Sequence, residues 1–149
     1  MNDNVVVRVF PRLNCCVPDF TGKNAALARV LHQMRQEVGD LAKIEVIPSV
    51  TRAERLIYYD QMIDALLAGG HALPFAGDAG QWNALRSELG FPGAGLFSSP
   101  GDPQRFWEIS FFLFSVTPVI GIDGRAVFVG EVPSAARLSE AIRIRRAGR

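Results

Sequence analysis

The sequence predicts an α/β protein in which a strand–helix–strand half precedes two further strands and a closing helix. Three observations carry this prediction. β-branched runs at Val5–Phe10 and at residues 44–47 flank a helical stripe of apolar residues. Asp123-Gly124 is a two-residue turn signal between two later apolar runs. Ser134 then has the character of a helix N-cap.

Size and composition limit the class of protein. A chain of 149 residues is long enough for one buried core and short for two, so we expect one domain over residues 1–149. Hydrophobic residues make up 48 % and charged residues 21 %, which indicates a folded globular protein. The formal charge of +1 predicts no nucleic-acid partner. No leader pattern and no uninterrupted apolar span is visible, so we expect no membrane association and a cytoplasmic location.

The first half reads as a βαβ unit. Val5–Phe10 is almost continuously apolar, which is typical of a strand buried on both faces. Apolar residues then recur at three- and four-residue spacing up to Gly39, where a helix-ending glycine is expected. These residues are Leu27, Val30, Leu31, Met34 and Val38. A second strand at residues 44–47 completes the unit and predicts parallel pairing with the first strand.

A second helix and an irregular segment follow. Thr51 and Glu54 have the spacing of a capping box, and the helix they open is expected to end at Gly69. Residues 75–101 are rich in glycine and proline, with one short helix indicated around Trp82. We interpret this segment as an insertion of loops and a small helix before the second half, and as a candidate lid over the loop after the first strand.

The second half begins with an aromatic helix. Pro103 suits the first position of a helix capped by Asp102. We expect most of its aromatic residues to pack in the core, with part of the surface left for a partner; they are Phe106, Trp107, Phe111, Phe112 and Phe114. Residues 116–122 predict a strand, and Asp123-Gly124 predicts a hairpin to a return strand.

Three local motifs carry a resemblance to a known family. Cys16-Val17-Pro18-Asp19, between the first strand and the first helix, looks like a Cys-x-Pro-Cys motif with Asp19 replacing the second cysteine. Thr117-Pro118 before the hairpin is similar to a Thr-Pro signature whose proline is cis, and residues 130–134 match Gly-x-x-Pro-Ser. Over residues 5–50 and 103–146 the chain therefore resembles the thioredoxin-like superfamily, which implies a thioredoxin-like fold.

The resemblance implies thiol–disulfide exchange or thiol redox sensing through Cys16, with Cys15, Asp19 and Pro118 as the other candidate catalytic residues. A cysteine at a helix N-terminus has a lowered thiol pKa, which favours the thiolate. Thr117, through its backbone, and Pro18 are the candidate substrate-binding residues. Asp19 cannot resolve a mixed disulfide, so whether the chain is an enzyme stays open. The expected partner is a protein thiol or disulfide substrate, or another protein, and no cofactor is expected.

The adjacent thiols leave two alternatives open. The Cys15-Cys16 pair also resembles the arsenical-resistance metallochaperone and repressor family, although the third cysteine of that family is absent here. Cys15 and Cys16 would then be soft-metal or metalloid ligands, with further ligands supplied by a homodimer partner. His32 and His71 are interpreted as surface or capping residues. In the other alternative the chain is a non-catalytic thioredoxin-like adaptor, in which the insertion and the aromatic surface bind another protein and the thiols are incidental. Two free cysteines could then simply fill the core.

Overall fold

A computed structural model of the chain describes residues 4–13, 22–89 and 103–148. Its strands are β1 (Val5–Phe10), β2 (Ala42–Val46), β3 (Val119–Ile122) and β4 (Arg125–Val129). Its helices are α1 (Lys23–Val38), α2 (Arg52–Ala68), α3 (Ala79–Leu89), α4 (Pro103–Val116) and α5 (Ala135–Ala147), with a 3₁₀ turn at Gly39–Leu41. The protein is thus a mixed α/β structure, as the order of sequence patterns predicts.

The four strands form one mixed sheet in the order β2-β1-β3-β4. β1 pairs with β2 in parallel, from Val5 opposite Ala42 to Val9 opposite Val46. β3 lies on the other side of β1 and runs antiparallel to it. Both predicted pairings are confirmed. The third strand is shorter than predicted, because Val116 is the last residue of α4 and β3 begins at Val119.

The predicted hairpin between β3 and β4 is also confirmed. Asp123 and Gly124 both have positive φ, 49° and 84°, as a tight two-residue turn between twisted strands requires. The Asp123 side chain also anchors β1, because its Oδ1 accepts a hydrogen bond from the Val6 amide at 3.0 Å. One turn residue therefore fixes both the hairpin and its register against β1.

Helices cover both faces of the sheet. α1 and α5 pack on one face, over a core that includes Met34, Ile120 and Leu138. α2, α3 and α4 contribute to the core on the other face, around Tyr59, Trp82 and Leu113. The predicted N-caps of α2 and α5 are confirmed. Thr51 and Glu54 form a reciprocal capping box on α2, and the Ser134 hydroxyl accepts a hydrogen bond from the Arg137 amide at the start of α5. None of the described helices has the length and apolar composition needed to cross a bilayer.

The segment predicted as an insertion contains α3, which is joined firmly to the core. Trp82 is fully buried and packs edge-on against Phe75, with ring centroids 6.1 Å apart. Arg86 of α3 forms an ion pair with Asp60 of α2. Residues 90–102, including Asp102, lie outside the described residues. The predicted location of residues 75–101 beside the Cys15-Cys16 loop therefore stays a prediction.

Candidate functional site

The junction between α4 and β3 contains the predicted cis proline. The Thr117–Pro118 peptide bond is cis, which confirms that prediction. Both residues are buried, and the Pro118 carbonyl accepts a hydrogen bond from the Gly130 amide at 2.8 Å. Gly130 has a positive φ of 75°, which lets the chain turn back towards the junction after β4. The cis proline is therefore fixed at the end of β3 remote from the hairpin.

Thr117 connects this junction to the loop that follows β1. Its Oγ1 accepts a hydrogen bond from the Leu13 amide at 3.1 Å and donates to the Phe114 carbonyl at 3.2 Å. The Arg12 guanidinium donates to the Thr117 carbonyl at 3.2 Å. That carbonyl therefore already accepts one hydrogen bond, and the predicted role of the Thr117 backbone in substrate binding stays a prediction. A substrate strand that pairs with this oxygen would share it with Arg12.

Two further side chains hold the loop after β1. The Asn24 carboxamide bonds both backbone groups of Arg12, accepting from its amide at 2.7 Å and donating to its carbonyl at 3.2 Å. The Tyr58 hydroxyl donates to the Pro11 carbonyl at 2.5 Å. Burial raises the pKa of Tyr58 well above its ordinary value, and Tyr59 raises it further. Tyr58 therefore stays protonated and keeps its role as a donor at neutral pH.

The N-terminus of α1 brings positive charge to the same end of the sheet. Gly22 precedes the helix in the left-handed conformation, and the first turn carries no acidic residue. The Lys23 ammonium donates to the Gly130 carbonyl at 3.2 Å. The helix dipole, Lys23 and Arg12 together favour negative charge in front of this helix end.

The structure brings together only some of the predicted site residues. Thr117 and Pro118 lie together at the junction, in contact with the loop after β1. Cys15, Cys16, Pro18 and Asp19 lie outside the described residues. The predicted roles of Cys16 as nucleophile, of Cys15 and Asp19 as further candidate catalytic residues, and of Pro18 as a substrate contact therefore stay predictions.

The two histidines lie on the surface. His32 is exposed on α1 and its ring nitrogen is 3.4 Å from the Gln36 amide nitrogen, and His71 is exposed after α2. No group of three or more metal-ligating side chains occurs in the described ranges.

The aromatic residues of α4 divide between core and surface. Phe112 and Phe114 pack partly buried against the core, as predicted. Trp107 and Phe111 are 52 % and 64 % exposed and contact each other with centroids 5.8 Å apart, so the core-packing interpretation is wrong for them. Among the side chains of this helix that the structure describes, Ile109 and Leu113 are fully buried instead, and Ser110 is buried with them. The side chain of Phe106 lies outside the described part.

Sequence reasoning missed Arg12, Asn24 and Tyr58. Their contacts to the junction and the loop join residues 12 to 105 positions apart in the chain.

Comparisons with family models, with curated proteins and with solved structures found no match to this chain. The geometry of the site is therefore the basis for a functional proposal.

Proposed function

We propose that this chain is a thioredoxin-like thiol protein that acts by thiol–disulfide exchange or thiol redox sensing through Cys16. The observation that carries the proposal is the hydrogen bonding of the cis Thr117–Pro118 junction to the loop that continues to the cysteine pair. The sheet order β2-β1-β3-β4, with helices on both faces, supports the thioredoxin-like interpretation of the fold.

The short segment from Leu13 to Cys15 supports a location of the first thiol close to Pro118, which the proposal requires. Leu13 bonds Thr117 directly, and Cys15 follows Leu13 by two residues. Two residues of fully extended chain span at most about 7 Å. The first thiol is therefore expected at the same end of the sheet as Pro118.

Electrostatics also supports a reactive thiol. Arg12, Lys23 and the N-terminus of α1 all favour an anion at this end of the sheet. A thiolate is such an anion, and positive surroundings lower the pKa of a thiol. Asp19 opposes this effect if its carboxylate is close to Cys16, because like charges disfavour the thiolate.

The proposed chemistry needs the Cys16 thiolate, a protein disulfide and a low-molecular-weight thiol. The Cys16 thiolate attacks one sulfur of a protein disulfide, forming a mixed disulfide and releasing the other substrate sulfur as a thiolate. A low-molecular-weight thiol, as its thiolate, then attacks the substrate sulfur of the mixed disulfide. The new disulfide leaves and the Cys16 thiolate is restored, so electrons balance without a thiol at position 19. A reducing compartment such as the cytoplasm would supply that thiol.

The measurement is the rate of alkylation by iodoacetamide near pH 7, followed by intact mass. Cys15→Ser leaves only Cys16, and Cys16→Ser leaves only Cys15, so the two variants are matched controls. Cys16 should label faster by about twofold to thirtyfold, which corresponds to about 0.2–1.5 pKa units from the helix dipole. Asp19→Asn in the Cys15→Ser chain should increase the rate further, and in urea the two thiols should label alike.

Two other outcomes would reject the proposal in favour of the alternatives. Arsenite retained by the wild type but by neither single variant, together with no mixed disulfide, would indicate a soft-metal site that uses both thiols. Thiols that label only after unfolding would indicate buried side chains in a non-catalytic adaptor. Faster labelling of Cys15 would reject the assignment of Cys16 as the nucleophile.

A further inference from the structure

An apolar groove lies between β4 and α5, at the hairpin end of the sheet. It has a volume of about 300 Å³. Its lining residues are Ile122, Arg125, Val127, Ala141, Ile144 and Arg145. Val127 and Ile144, 47 % and 65 % exposed, are its open walls, and Ile122 is its buried floor. The groove is separate from the cis-proline junction, because Pro118 precedes β3 and the hairpin follows it.

A β-bulge opens this groove. Ile120 pairs with Phe128 and Gly121 pairs with Ala126, so Val127 has no register partner on β3. An extra residue in one strand changes the direction of its side chain and locally bends the strand. Val127 consequently lines the same groove as Ile144 and Ala141 of α5.

The charged side chains at the groove are cationic. The Arg145 Nε donates to the Asp123 carboxylate at 2.8 Å, and this ion pair fixes the guanidinium in position. Arg125 forms no ion pair within the part of the chain that the structure describes. The groove therefore combines apolar walls with one compensated and one uncompensated guanidinium. Guanidinium groups bind carboxylates through paired hydrogen bonds.

Two macromolecular occupants fit this arrangement poorly. A second copy related by a two-fold axis through the groove would bring the guanidinium groups of Arg125 and Arg145 from both copies together. A peptide strand added to the outer edge of β4 would meet the bulge at Val127, which interrupts regular edge pairing. Charge and shape both favour a small anionic ligand with an apolar body.

We propose that the groove between β4 and α5 binds a free single-chain aliphatic carboxylate, with the chain against Val127 and Ile144 and the carboxylate on Arg125. The volume of about 300 Å³ is at the small end of the range of ligand pockets, about 300–1,000 Å³, and is roughly twice the cavity of about 150 Å³ that holds one benzene molecule. It therefore suits one chain of about ten heavy atoms and is too small for a two-chain lipid.

The probe is sodium decanoate below its micelle concentration, titrated into ¹⁵N-labelled full-length protein and followed by amide chemical shifts. Saturable shifts are expected at Val127, Ala141 and Ile144. Each methylene removed from the chain should weaken binding by up to about fourfold. Decyltrimethylammonium, with the same chain and the opposite charge, is the matched ligand control and should not bind.

Substitutions at Arg125 and Ile144, two exposed lining residues, test the guanidinium charge and the apolar wall of the groove separately. Arg125→Ala should weaken decanoate binding by about tenfold, since it removes the anchoring guanidinium. Arg29→Ala removes the same charge from the exposed face of α1 and should leave binding unchanged. Ile144→Ser should reduce the dependence on chain length while retaining selectivity for the anion.

Several results would overturn the proposal. Equal binding of decanoate and decyltrimethylammonium would indicate non-specific adhesion, and shifts spread over the whole surface would indicate the same. Binding to anionic vesicles without binding to monomeric decanoate would indicate a lipid surface. A dimer in sedimentation that Ile144→Asp dissociates would assign the groove to a second copy of the chain.

Discussion

Substitution of Trp82 tests whether α3 is part of the cooperative core or a peripheral lid. Its side chain is fully buried and packs against Phe75. A buried tryptophan removes about 150–250 Å² from water, which at about 25 cal/mol per Å² contributes about 4–6 kcal/mol as an upper estimate. Trp82→Ala is therefore expected to lower the free energy of unfolding by about 3–5 kcal/mol. The corresponding decrease in Tm is about 6–20 °C for a chain of this size.

Trp107 is the matched control for this prediction, because it is the other tryptophan and is half exposed. The same area argument gives about half the contribution, so Trp107→Ala should cost at most about 2–3 kcal/mol. The assay is urea unfolding followed by circular dichroism, which does not depend on either indole. If Trp82→Ala costs less than Trp107→Ala, α3 unfolds separately and the reasoning from burial is refuted.

Two further changes test the α2 helix. Burial raises the pKa of Asp60 in the folded protein in spite of the neighbouring Arg86. The protonated Asp60 therefore contributes its full stabilisation below about pH 3.9, and this contribution is lost as the pH rises through the raised folded pKa. Between these two pH values the free energy of unfolding should fall less steeply in Asp60→Asn than in the wild type. Curves of unfolding free energy against pH that run parallel for the two proteins would contradict this. A Cβ at Gly69 would lie 2.6 Å from the Ala126 carbonyl oxygen, whereas at Gly148, with nearly the same φ, the nearest atom is 3.5 Å away. Gly69→Ala should cost about 1–3 kcal/mol and Gly148→Ala less than about 0.5, and equal unfolding midpoints would contradict the steric argument.

The elements with strong local signals were predictable from the sequence. β-branched residues at Val5–Phe10, the capping pair Thr51 and Glu54, and the Asp123-Gly124 turn each specify a local conformation without help from distant residues. Their order then limits the possible topologies, since a crossover between neighbouring parallel strands has one preferred hand.

The facing of α4 was hard to predict, because apolar residues dominate this helix and its polar side, formed by Gln104, Glu108 and Ser115, is narrow. Ile109 and Leu113 are buried while Trp107 and Phe111 are exposed, although all four would suit a core. A narrow polar side leaves several apolar residues at its borders, and packing against the rest of the fold decides which of them become buried.

The polar side chains of the site were unpredictable for a different reason. Arg12 bonds a carbonyl 105 residues away, and Tyr58 bonds one 47 residues away. Each contact exists only after β1, α2 and β3 have assembled, so no local pattern identifies it. The motif Thr117-Pro118 was visible in the sequence, whereas the side chains that hold it were not.

The two proposed sites lie far enough apart to be tested independently. The cis-proline junction precedes β3 and the apolar groove adjoins its far end, and a four-residue strand spans about 13 Å. Substitutions separated by more than about 10 Å with no shared partners normally have additive effects. Arg125→Ala should therefore leave the rate of Cys16 alkylation unchanged, and Cys16→Ser should leave decanoate binding unchanged. Coupling between them has two direct routes: β3, whose residues Ile120 and Ile122 are packed in the core shared with α5, and β4, which leads from Arg125 to the Gly130 amide on the Pro118 carbonyl.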